Sequence, residues 1–415
     1  MALEKIKNLE KAAKRIKEAV KDQEQIIIYA DSDMDGVSSA IILKESINNI
    51  AYSVLKEGQS LPPIQFYHPD RKTEGYGLNR TALEFLSEKF STPFKEGAKK
   101  KVKKAKLGLL ITLDCGITNF EEVEMARSLG FFVLLIDHHQ VLDKMPKADI
   151  VVDPNQEGDK TFKSFANAGL TFQLAKELLG ESMSQGLRSS FLELAALATI
   201  ADMMPEVEEN SDIIMEGLSS IQNSHRPGIK VFFEIFNLKD FVSKRDLISK
   251  MVSVLNVASV RPDHQHDCYL LLTTGNYDLA KLTVQSLLEK SGRRHEELKG
   301  LEEEVRYIVN SKNGSPVIFE GSKNWDIELL GAVASRIVRE FQKPTFIYTM
   351  KEGSSRGSVR APKGMDVVKA MADSADLLEM FGGHPPAAGF TVKNENLEKF
   401  RDKLIEYFSR HKAQN

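Results

Sequence analysis

The stretch IIIYADSDMDG, residues 26–36, decides the fold of the first part of the chain. Its apolar start, residues 26–28, has the length of a buried strand and is too short for a helix. Gly36 permits a sharp turn after the three aspartates, and a helical pattern follows at residues 37–49. The stretch therefore predicts a strand, a tight turn and a helix, which is the opening unit of an α/β fold.

Two further apolar runs have the same character as the first. LGLLITL occupies residues 107–113, and FFVLLI occupies residues 131–136. A helical pattern at residues 119–129 lies between them, and Gly130 ends it. Strands that alternate with helices predict a doubly wound parallel sheet with helices on both faces.

The remainder of the chain changes character twice. A mainly helical region covers residues 167–257, and residues 277–310 form one long, highly charged helical pattern of the kind that bridges domains. A strand, a helix and a strand follow within residues 316–350, before a final helix. We therefore expect an α/β domain with a helical insert, joined by a long helix to a second, smaller α/β domain, with boundaries at 1–270, 271–312 and 313–415.

Acidic residues follow each of the three strands at the point where the strand ends. In an open α/β sheet the carboxyl ends of the strands border the functional crevice. The sequence therefore predicts that carboxylates and imidazoles from all three strand ends meet there: Asp31, Asp33, Asp35, Asp114, Asp137, His138 and His139. Asp202 is a further candidate, because it ends the apolar pattern LAALATIADMMP and a buried carboxylate needs a partner or a metal ion.

Such a cluster is costly on its own, since like charges a few ångströms apart repel and force some carboxylates to take up protons. A pair of divalent cations removes this cost. Oxygen ligands with one or two histidines favour Mn²⁺ or Mg²⁺, whereas a structural zinc site would need thiolates. The pattern therefore predicts two manganese or magnesium ions in the crevice.

Other kinds of site begin with similar residues. Asp-x-Asp-x-Asp-Gly also opens an EF-hand loop, but that loop needs a glutamate at its twelfth position, which is Ile42 here. The glycine patterns of dinucleotide-binding folds and of phosphate-binding P-loops do not occur. Asp31 and Asp202, each taken alone, could also be helix-capping residues.

Composition sets few limits on function. No apolar stretch is long enough to span a membrane, and Cys115 and Cys268 provide no disulfide framework, so we expect a cytoplasmic protein without membrane partners. The net charge of −3 does not indicate a nucleic-acid-binding protein, but a local basic groove is sufficient for binding. The lysine-rich run at residues 95–106 is one candidate, although a solvated surface segment is the commoner explanation.

The motifs taken together resemble those of the DHH phosphoesterase superfamily, named for the triplet present here as Asp137, His138 and His139. DSDMDG, LDCGITN, IDHHQ and ATIADMMP are similar to its four acidic motifs, and HPDRKTEGYGL and VVDPNQ are accessory matches. LGAVASRI, GSVRAPKGMDV and FGGHPPAAGF resemble the DHH-associated domain. Within the superfamily, nearly the whole chain resembles the RecJ-type single-strand exonucleases.

The resemblance implies roles for individual residues. Asp114 would bridge the two ions, Asp137 would orient the histidines, and His139 would bind metal or substrate phosphate. The metal ligands would be Asp31, Asp33, Asp35, Asp114, His138 and Asp202. The substrate phosphates would be held by Gly382, Gly383 and His384 and by Arg71, Arg261, Arg336 and Arg360.

By the same resemblance we expect an exonuclease that cuts single-stranded DNA, in preference to RNA, in the 5′→3′ direction during repair or recombination. RecJ-type nucleases usually carry an oligonucleotide-binding barrel after the DHH-associated domain. This sequence ends soon after FGGHPPAAGF, so a protein partner would supply that surface. Two alternatives stay open: a DHH phosphodiesterase that acts on short oligoribonucleotides or cyclic dinucleotides, and a non-catalytic replication scaffold.

Overall fold

The structure is a computed structural model that describes residues 5–91, 107–141, 144–312 and 314–410. The lysine-rich run at residues 95–106 lies outside the described residues. The chain forms two compact units, Met1–Lys290 and Ser291–Asn415. Each unit is an α/β structure with its own sheet, which agrees with the predicted fold class.

The first unit contains a five-stranded sheet, built from β1 (Ile26–Ala30), β2 (Ile64–Tyr67), β3 (Gly108–Leu113), β4 (Phe131–Ile136) and β5 (Ile150–Val152). The strand order is β2-β1-β3-β4-β5, and every neighbouring pair is parallel. The sheet is therefore doubly wound, with the order reversing between β1 and β3. The three strands predicted from the apolar runs are confirmed, and β2 and β5 extend the sheet at its edges.

Helices cover both faces of this sheet. Helices of the insert pack in turn on other helices. The helices of the unit are α1 (Leu9–Lys21), α2 (Met34–Val54), α3 (Arg80–Ser91), α4 (Phe120–Leu129), α5 (Asn167–Leu179), α6 (Gln185–Ala201), α7 (Glu208–Ser220), α8 (Pro227–Ile235), α9 (Lys244–Leu255) and α10 (Asp267–Thr273). Ile26 and Ile28 contribute to one apolar core, and Ile27 and Tyr29 contribute to a second, because successive side chains of a strand alternate. A strand buried on both faces explains why the sequence runs are continuously apolar.

The turn after β1 is shaped by two residues. Asp33 caps α2, since its side chain accepts hydrogen bonds from the backbone N–H groups of Asp35 and Gly36, both at 3.0 Å. At Gly36 an added Cβ would lie 2.3 Å from the carbonyl oxygen of Asp31. Only glycine therefore allows the first turn of α2 to pack so closely against the end of β1.

Helix α11 (Tyr277–Ser311) is the long charged helix predicted from the sequence, and the division between the two units falls inside it. The second unit continues with β6 (Ile318–Ser322), α12 (Ile327–Phe341), β7 (Thr345–Met350), β8 (Ser354–Arg360), α13 (Val367–Ala372), β9 (Leu378–His384), β10 (Ala387–Lys393) and α14 (Leu397–Arg410). Its strand order is β6-β7-β8-β10-β9. Among the described strands β6 and β7 run parallel and the other neighbouring pairs run antiparallel, so this sheet is mixed.

Aromatic side chains form much of the core of the second unit. Phe319, Phe346, Phe390 and Phe400 are buried there, with ring centroids 5.4 to 6.3 Å apart in the contacting pairs. Gly357 in β8 makes room for this cluster, since an added Cβ would lie 2.4 Å from the Phe390 ring. In the described part of the chain, no helix combines the length and the apolar character that crossing a membrane requires.

Within the first unit, a buried ion pair joins the helical insert to α2. The guanidinium of Arg226, at the start of α8, is 4% exposed and pairs with both carboxylate oxygens of Glu45 on α2, at 3.0 and 2.8 Å. It also donates to the carbonyl of Leu272 and the hydroxyl of Ser190, both at 2.8 Å. Four segments distant in sequence therefore meet at one charged group.

We expect Glu45→Gln to lower the free energy of unfolding by about 3 kcal/mol, because Arg226 would remain buried without its counter-charge. Urea unfolding measures the change. The double replacement Glu45→Leu with Arg226→Met should lose less stability than the two single changes added together. Strictly additive losses would show that the two side chains are not energetically coupled.

Candidate metal centre

The reversal of strand order places two acid-bearing loops side by side. β1 and β3 are neighbours, with Ala30 in register with Leu113, so Asp31 and Asp114 follow adjacent strand ends. β4 pairs with β3 on the other side and leads into Asp137 and His138. The chain thus collects its acids and histidines at the switch point, where doubly wound folds bind ligands.

Asp35 lies in the first turn of α2 and is held by the start of α5. Its two carboxylate oxygens accept hydrogen bonds from the backbone N–H groups of Asn167 and Ala168, each at 2.6 Å. Burial raises the pKa of Asp35 well above its ordinary value, and the nearby Asp33 and Asp202 raise it further. The two hydrogen bonds therefore fix the position of the Asp35 carboxylate, but they do not fully offset the cost of its negative charge in this buried environment.

Asp114 is the most constrained residue of the centre. It is 3% exposed and has a φ of 61°, a left-handed conformation that is uncommon for residues other than glycine. Its Oδ1 lies 3.2 Å from Nε2 of His138, but no described residue is aligned to form a hydrogen bond with it. Burial raises the pKa of Asp114, and the charges of Asp33 and Asp35 add to the shift. An unsatisfied buried carboxylate oxygen of this kind fits a metal ligand.

His138 has the tautomer that a metal ligand needs. Its Nδ1 lies 2.7 Å from the carbonyl oxygen of Phe165 and therefore donates its proton there. Nε2 is left with its lone pair, and it faces Asp35 at 3.7 Å, Asp114 at 3.2 Å and Asp202 at 3.8 Å. Burial lowers the pKa of His138, and the neighbouring His139 lowers it further, so the imidazole is neutral.

Asp137 forms hydrogen bonds with both of the histidines that follow it in the sequence. It accepts hydrogen bonds from the backbone N–H groups of Ile117 (3.0 Å), His138 (2.8 Å) and His139 (3.2 Å), and from Nδ1 of His139 (2.7 Å). Burial alone would raise the pKa of Asp137, but these donors hold it below its ordinary value. The same bond raises the pKa of the half-exposed His139 to about 9.

Ligand atoms come within 4.8 Å of one another in three overlapping groups: Asp114 with His138 and His139, Asp35 with His138 and Asp202, and Asp31 with Asp33 and Asp114. Asp202, at the end of α6, is the most open of the acids, and burial together with Asp33 raises its pKa to about 6. Hard oxygen donors with imidazole nitrogen fit Mn²⁺ or Mg²⁺. The structure thus brings together the candidate ligands named from the sequence.

Arg71 also lies at the centre. Its guanidinium makes a two-pronged ion pair with Asp31 and contacts Asp33 at 2.8 Å. The same guanidinium stacks over the ring of Tyr76, 4.7 Å from its centroid, and Tyr76 is 73% exposed. Sequence reasoning did not single out Tyr76, because an isolated tyrosine gives no signal of exposure.

The other predicted arginines have different surroundings. Arg261 pairs with Asp267 at 2.7 Å, and Arg336 in α12 pairs with Glu302 at 2.6 Å. Arg360, at the end of β8, instead donates to the hydroxyls of Ser335 and Ser358, each at 3.1 Å, and to the carbonyl of Val359 at 2.9 Å.

No carboxylate among the described residues lies within ion-pair distance of Arg360, and burial lowers its pKa. Gly331 of α12 makes room for it, since an added Cβ would be 3.2 Å from its Nη2. Gly382 and Gly383 lie in β9, which ends at His384. These residues belong to the second unit, whereas the acid and histidine cluster belongs to the first.

A cavity of about 320 Å³ opens beside the acids of the first unit. Asp33, Asp35, Asp202 and Arg71 line it, together with Asn256 and His266. His266 was not predicted as a site residue. Its Nδ1 accepts a hydrogen bond from the backbone N–H of Cys268, so its proton is on Nε2.

The structure thus shows a doubly wound sheet with clustered acids and histidines at its switch point, as the resemblance to the DHH phosphoesterases implied. The sequence matches the DHH family, N-terminal domain, over residues 25–199 and the DHHA1 domain over residues 314–410. The chain therefore contains a DHH family N-terminal domain followed by a DHHA1 domain.

Its similarity to known proteins extends over almost its full length. It is 30% identical to the single-stranded-DNA-specific exonuclease RecJ of Bacillus subtilis over 97% of this chain and 48% of that protein. The RecJ of Escherichia coli is 26% identical, over 97% of this chain and 69% of that protein. The chain therefore spans about half the length of the first relative and about two thirds of the second.

Two solved structures are also similar to this chain over almost its full length. The structure of an exonuclease RecJ bound to manganese has a TM-score of 0.79 at 25% identity, covering 100% of this chain and 97% of that one. RecJ of Thermus thermophilus in complex with Mn²⁺ has a TM-score of 0.77 at 24% identity, covering 99% of this chain and 56% of that one.

Proposed function

We propose that this chain is a metal-dependent exonuclease that hydrolyses phosphodiester bonds of single-stranded DNA. The observation that carries the proposal is the unsatisfied, buried Oδ1 of Asp114, which faces the lone pair on Nε2 of His138. This pair suits a divalent cation, and the relatives bound to manganese support that choice. Single-stranded DNA is proposed as the substrate because the RecJ relatives are single-stranded-DNA-specific exonucleases.

Two ions, Mn²⁺ or Mg²⁺, would be held by Asp33, Asp35, Asp114, His138 and Asp202, with Asp31 as a further ligand. When bound, they would lower the pKa of a water molecule towards neutrality and offset the negative charge on the phosphate. Asp114 and His138 each belong to two of the three groups of neighbouring ligand atoms. Of the two, only the carboxylate of Asp114 has two oxygens that could contact two ions, so Asp114 would be the bridging ligand.

His139 is proposed as a phosphate-binding residue. Its bond to Asp137 keeps the imidazole charged at neutral pH, with a pKa of about 9. A charged imidazolium can donate its second N–H to a phosphate oxygen. Asp137 would orient His139 and would not itself bind an ion, because its oxygens accept from four N–H groups and it belongs to none of the three groups of neighbouring ligand atoms among the described residues.

Selectivity for single strands would come in part from Tyr76. An exposed aromatic ring beside the acid cluster can stack on an unpaired base, and Arg71 holds the ring from its other side. A base within a duplex is already stacked on its neighbours and is not available for this contact. RNA also has unpaired bases, so the preference for DNA over RNA stays a prediction.

In the second unit, Arg360 and the glycines of β9 are proposed to bind substrate phosphates. Arg360 is held in place by neutral groups and lacks a carboxylate among the described residues, so its charge is available to an anion. At Gly382 an added Cβ would meet nothing within 4 Å, which leaves space for a substrate backbone. The 5′→3′ direction, a role in repair or recombination, a cytoplasmic location and a protein partner stay predictions.

A panel of end-labelled substrates with Mn²⁺ tests the proposal. We expect mononucleotides to be released from single-stranded DNA, with the label of a 5′-labelled strand appearing first as a mononucleotide. Blunt duplex DNA of the same sequence should be cut much more slowly. Hydrolysis confined to short oligoribonucleotides or cyclic dinucleotides would favour the phosphodiesterase alternative. Mn²⁺ binding without hydrolysis of any substrate would favour the non-catalytic scaffold.

A further inference from the structure

The side chain of Asn167, the first residue of α5, lies completely buried between the ligand-bearing strand ends. One orientation of its amide satisfies all of its neighbours. In that orientation Nδ2 donates to the carbonyl of Ile136 at 3.1 Å, and Oδ1 accepts from the backbone N–H of Asp114 at 3.0 Å and from the hydroxyl of Ser39 at 3.0 Å. The amide thus connects the residue that ends β4 with the residue that follows β3.

The backbone around Asn167 holds two other proposed ligands, His138 and Asp35. The carbonyl of Phe165 accepts the Nδ1 proton of His138 at 2.7 Å. The N–H groups of Asn167 and Ala168 donate to the two oxygens of Asp35, each at 2.6 Å. Residues 165–168 are therefore bonded to all three ligand-bearing segments of the first unit's sheet: the start of α2, the end of β3 and the end of β4.

We propose that Asn167 is a positioning residue of the metal centre, and that its amide fixes the backbone of Asp114 against the strand that leads to His138. The inference rests on the proposed function in that it requires Asp114 and His138 to bind the ions. Asn167 itself touches no ion and no substrate. It acts on the relative placement of two ligands that come from different strands.

The conformation of Asp114 explains why such a bond is needed. Its φ of 61° is uncommon for residues with a side chain, so the surrounding structure must hold it in place. The backbone N–H of Asp114 also donates to the carbonyl of Ile136 at 3.1 Å, so the Asn167 amide bonds to both members of a hydrogen bond that already joins the two strands and constrains the same junction further. Removing the amide should loosen the junction without unfolding the sheet.

The test compares Asn167→Ala and Asn167→Leu with the wild-type protein. Leucine keeps the branched shape of asparagine, with the same number of side-chain heavy atoms, and fills the site but forms none of the three hydrogen bonds, so the pair separates the loss of bonding from the creation of a cavity. Mn²⁺ binding is measured by calorimetry and by electron paramagnetic resonance on the metal-free protein titrated with the ion. We expect both variants to bind at least one Mn²⁺ about 10- to 100-fold more weakly.

Asn210→Ala is the matched control. Asn210 is equally buried, but its amide donates to the carbonyls of Ser164 and Pro205, at 2.6 and 3.0 Å, rather than to a ligand-bearing strand end. It should lose stability and keep wild-type Mn²⁺ affinity. Activity provides a second measurement: raising the Mn²⁺ concentration should restore the turnover of Asn167→Ala, which a purely structural defect would not allow.

A folded Asn167→Leu variant with wild-type Mn²⁺ affinity and stoichiometry would overturn the inference. If the wild-type protein binds Mn²⁺ and cuts DNA in that case, only the role of Asn167 fails. If the wild-type protein binds no Mn²⁺ at all, the proposed metal centre itself fails, and the two outcomes are distinguishable in one titration series.

Discussion

Asp114→Asn should abolish hydrolysis, with a fall in turnover of about 10³-fold or more, and should remove at least one Mn²⁺ from the protein. Asparagine has the shape of aspartate and tolerates a positive φ, so the backbone at this position can stay as it is. The change removes one negative charge from a cluster that also contains Asp31, Asp33 and Asp35. The metal-free variant should therefore be at least as stable as the wild-type protein.

Calorimetry with Mn²⁺, thermal unfolding without metal and a single-strand nuclease assay measure these three effects. Asp159→Asn is a suitable control, since Asp159 is an inaccessible carboxylate that bonds to the backbone of Lys7 and Thr161 outside the cluster. It should leave Mn²⁺ binding unchanged. Near-normal turnover of Asp114→Asn with unchanged Mn²⁺ stoichiometry would contradict the two-metal assignment.

Arg360→Ala should raise the KM for single-stranded DNA about 10- to 100-fold with a smaller effect on kcat, since hydrogen bonds to a charged group contribute about 1.5–3 kcal/mol. The guanidinium has no carboxylate partner among the described residues, so its removal leaves no other charge unpaired. Loss of one phosphate contact should also reduce the slope of log affinity against log salt by about 0.7.

Arg336→Ala serves as the comparison in the same unit. Arg336 is paired with Glu302, which also contacts Arg306, so its charge is already compensated within the unit. We expect little change in KM and in the salt slope for Arg336→Ala. Equal effects of the two substitutions would mean that the absence of a carboxylate partner does not identify a phosphate-binding arginine in this protein.

The sequence was sufficient to predict β1, β3 and β4, because each is a short apolar run that ends in an acid. It was not sufficient for β2 or β5, whose four and three residues carry too little pattern to separate from a loop. In the second unit β8 was also missed, since SSRGSVR is rich in serine, glycine and arginine. Such a strand forms because its neighbours β7 and β10 pair with it on both sides.

The residues of the candidate site also fall into those that the sequence predicts and those that only the structure reveals. Asp33, Asp114 and His138 could be nominated from the sequence, since the carboxyl ends of neighbouring parallel strands must meet. The partners of the arginines could not, because Arg336 and Glu302 are brought together by the packing of two separate helices. Asn167 gave no signal either, since only the folded chain shows that its amide lies at the junction of two strands.

The pairing of Arg71 with Asp31 and Asp33 has a consequence for how the protein matures. Zinc fingers remain unfolded until their ion arrives, because nothing else offsets the cost of assembling their ligands. In this protein the guanidinium of Arg71, together with the N–H groups that donate to Asp35 and Asp137, offsets part of that cost. A chelator should therefore strip the ions and leave a folded chain ready for reloading. Which ion enters is then decided after folding, by the supply of manganese and magnesium together with the affinity of the finished site for each.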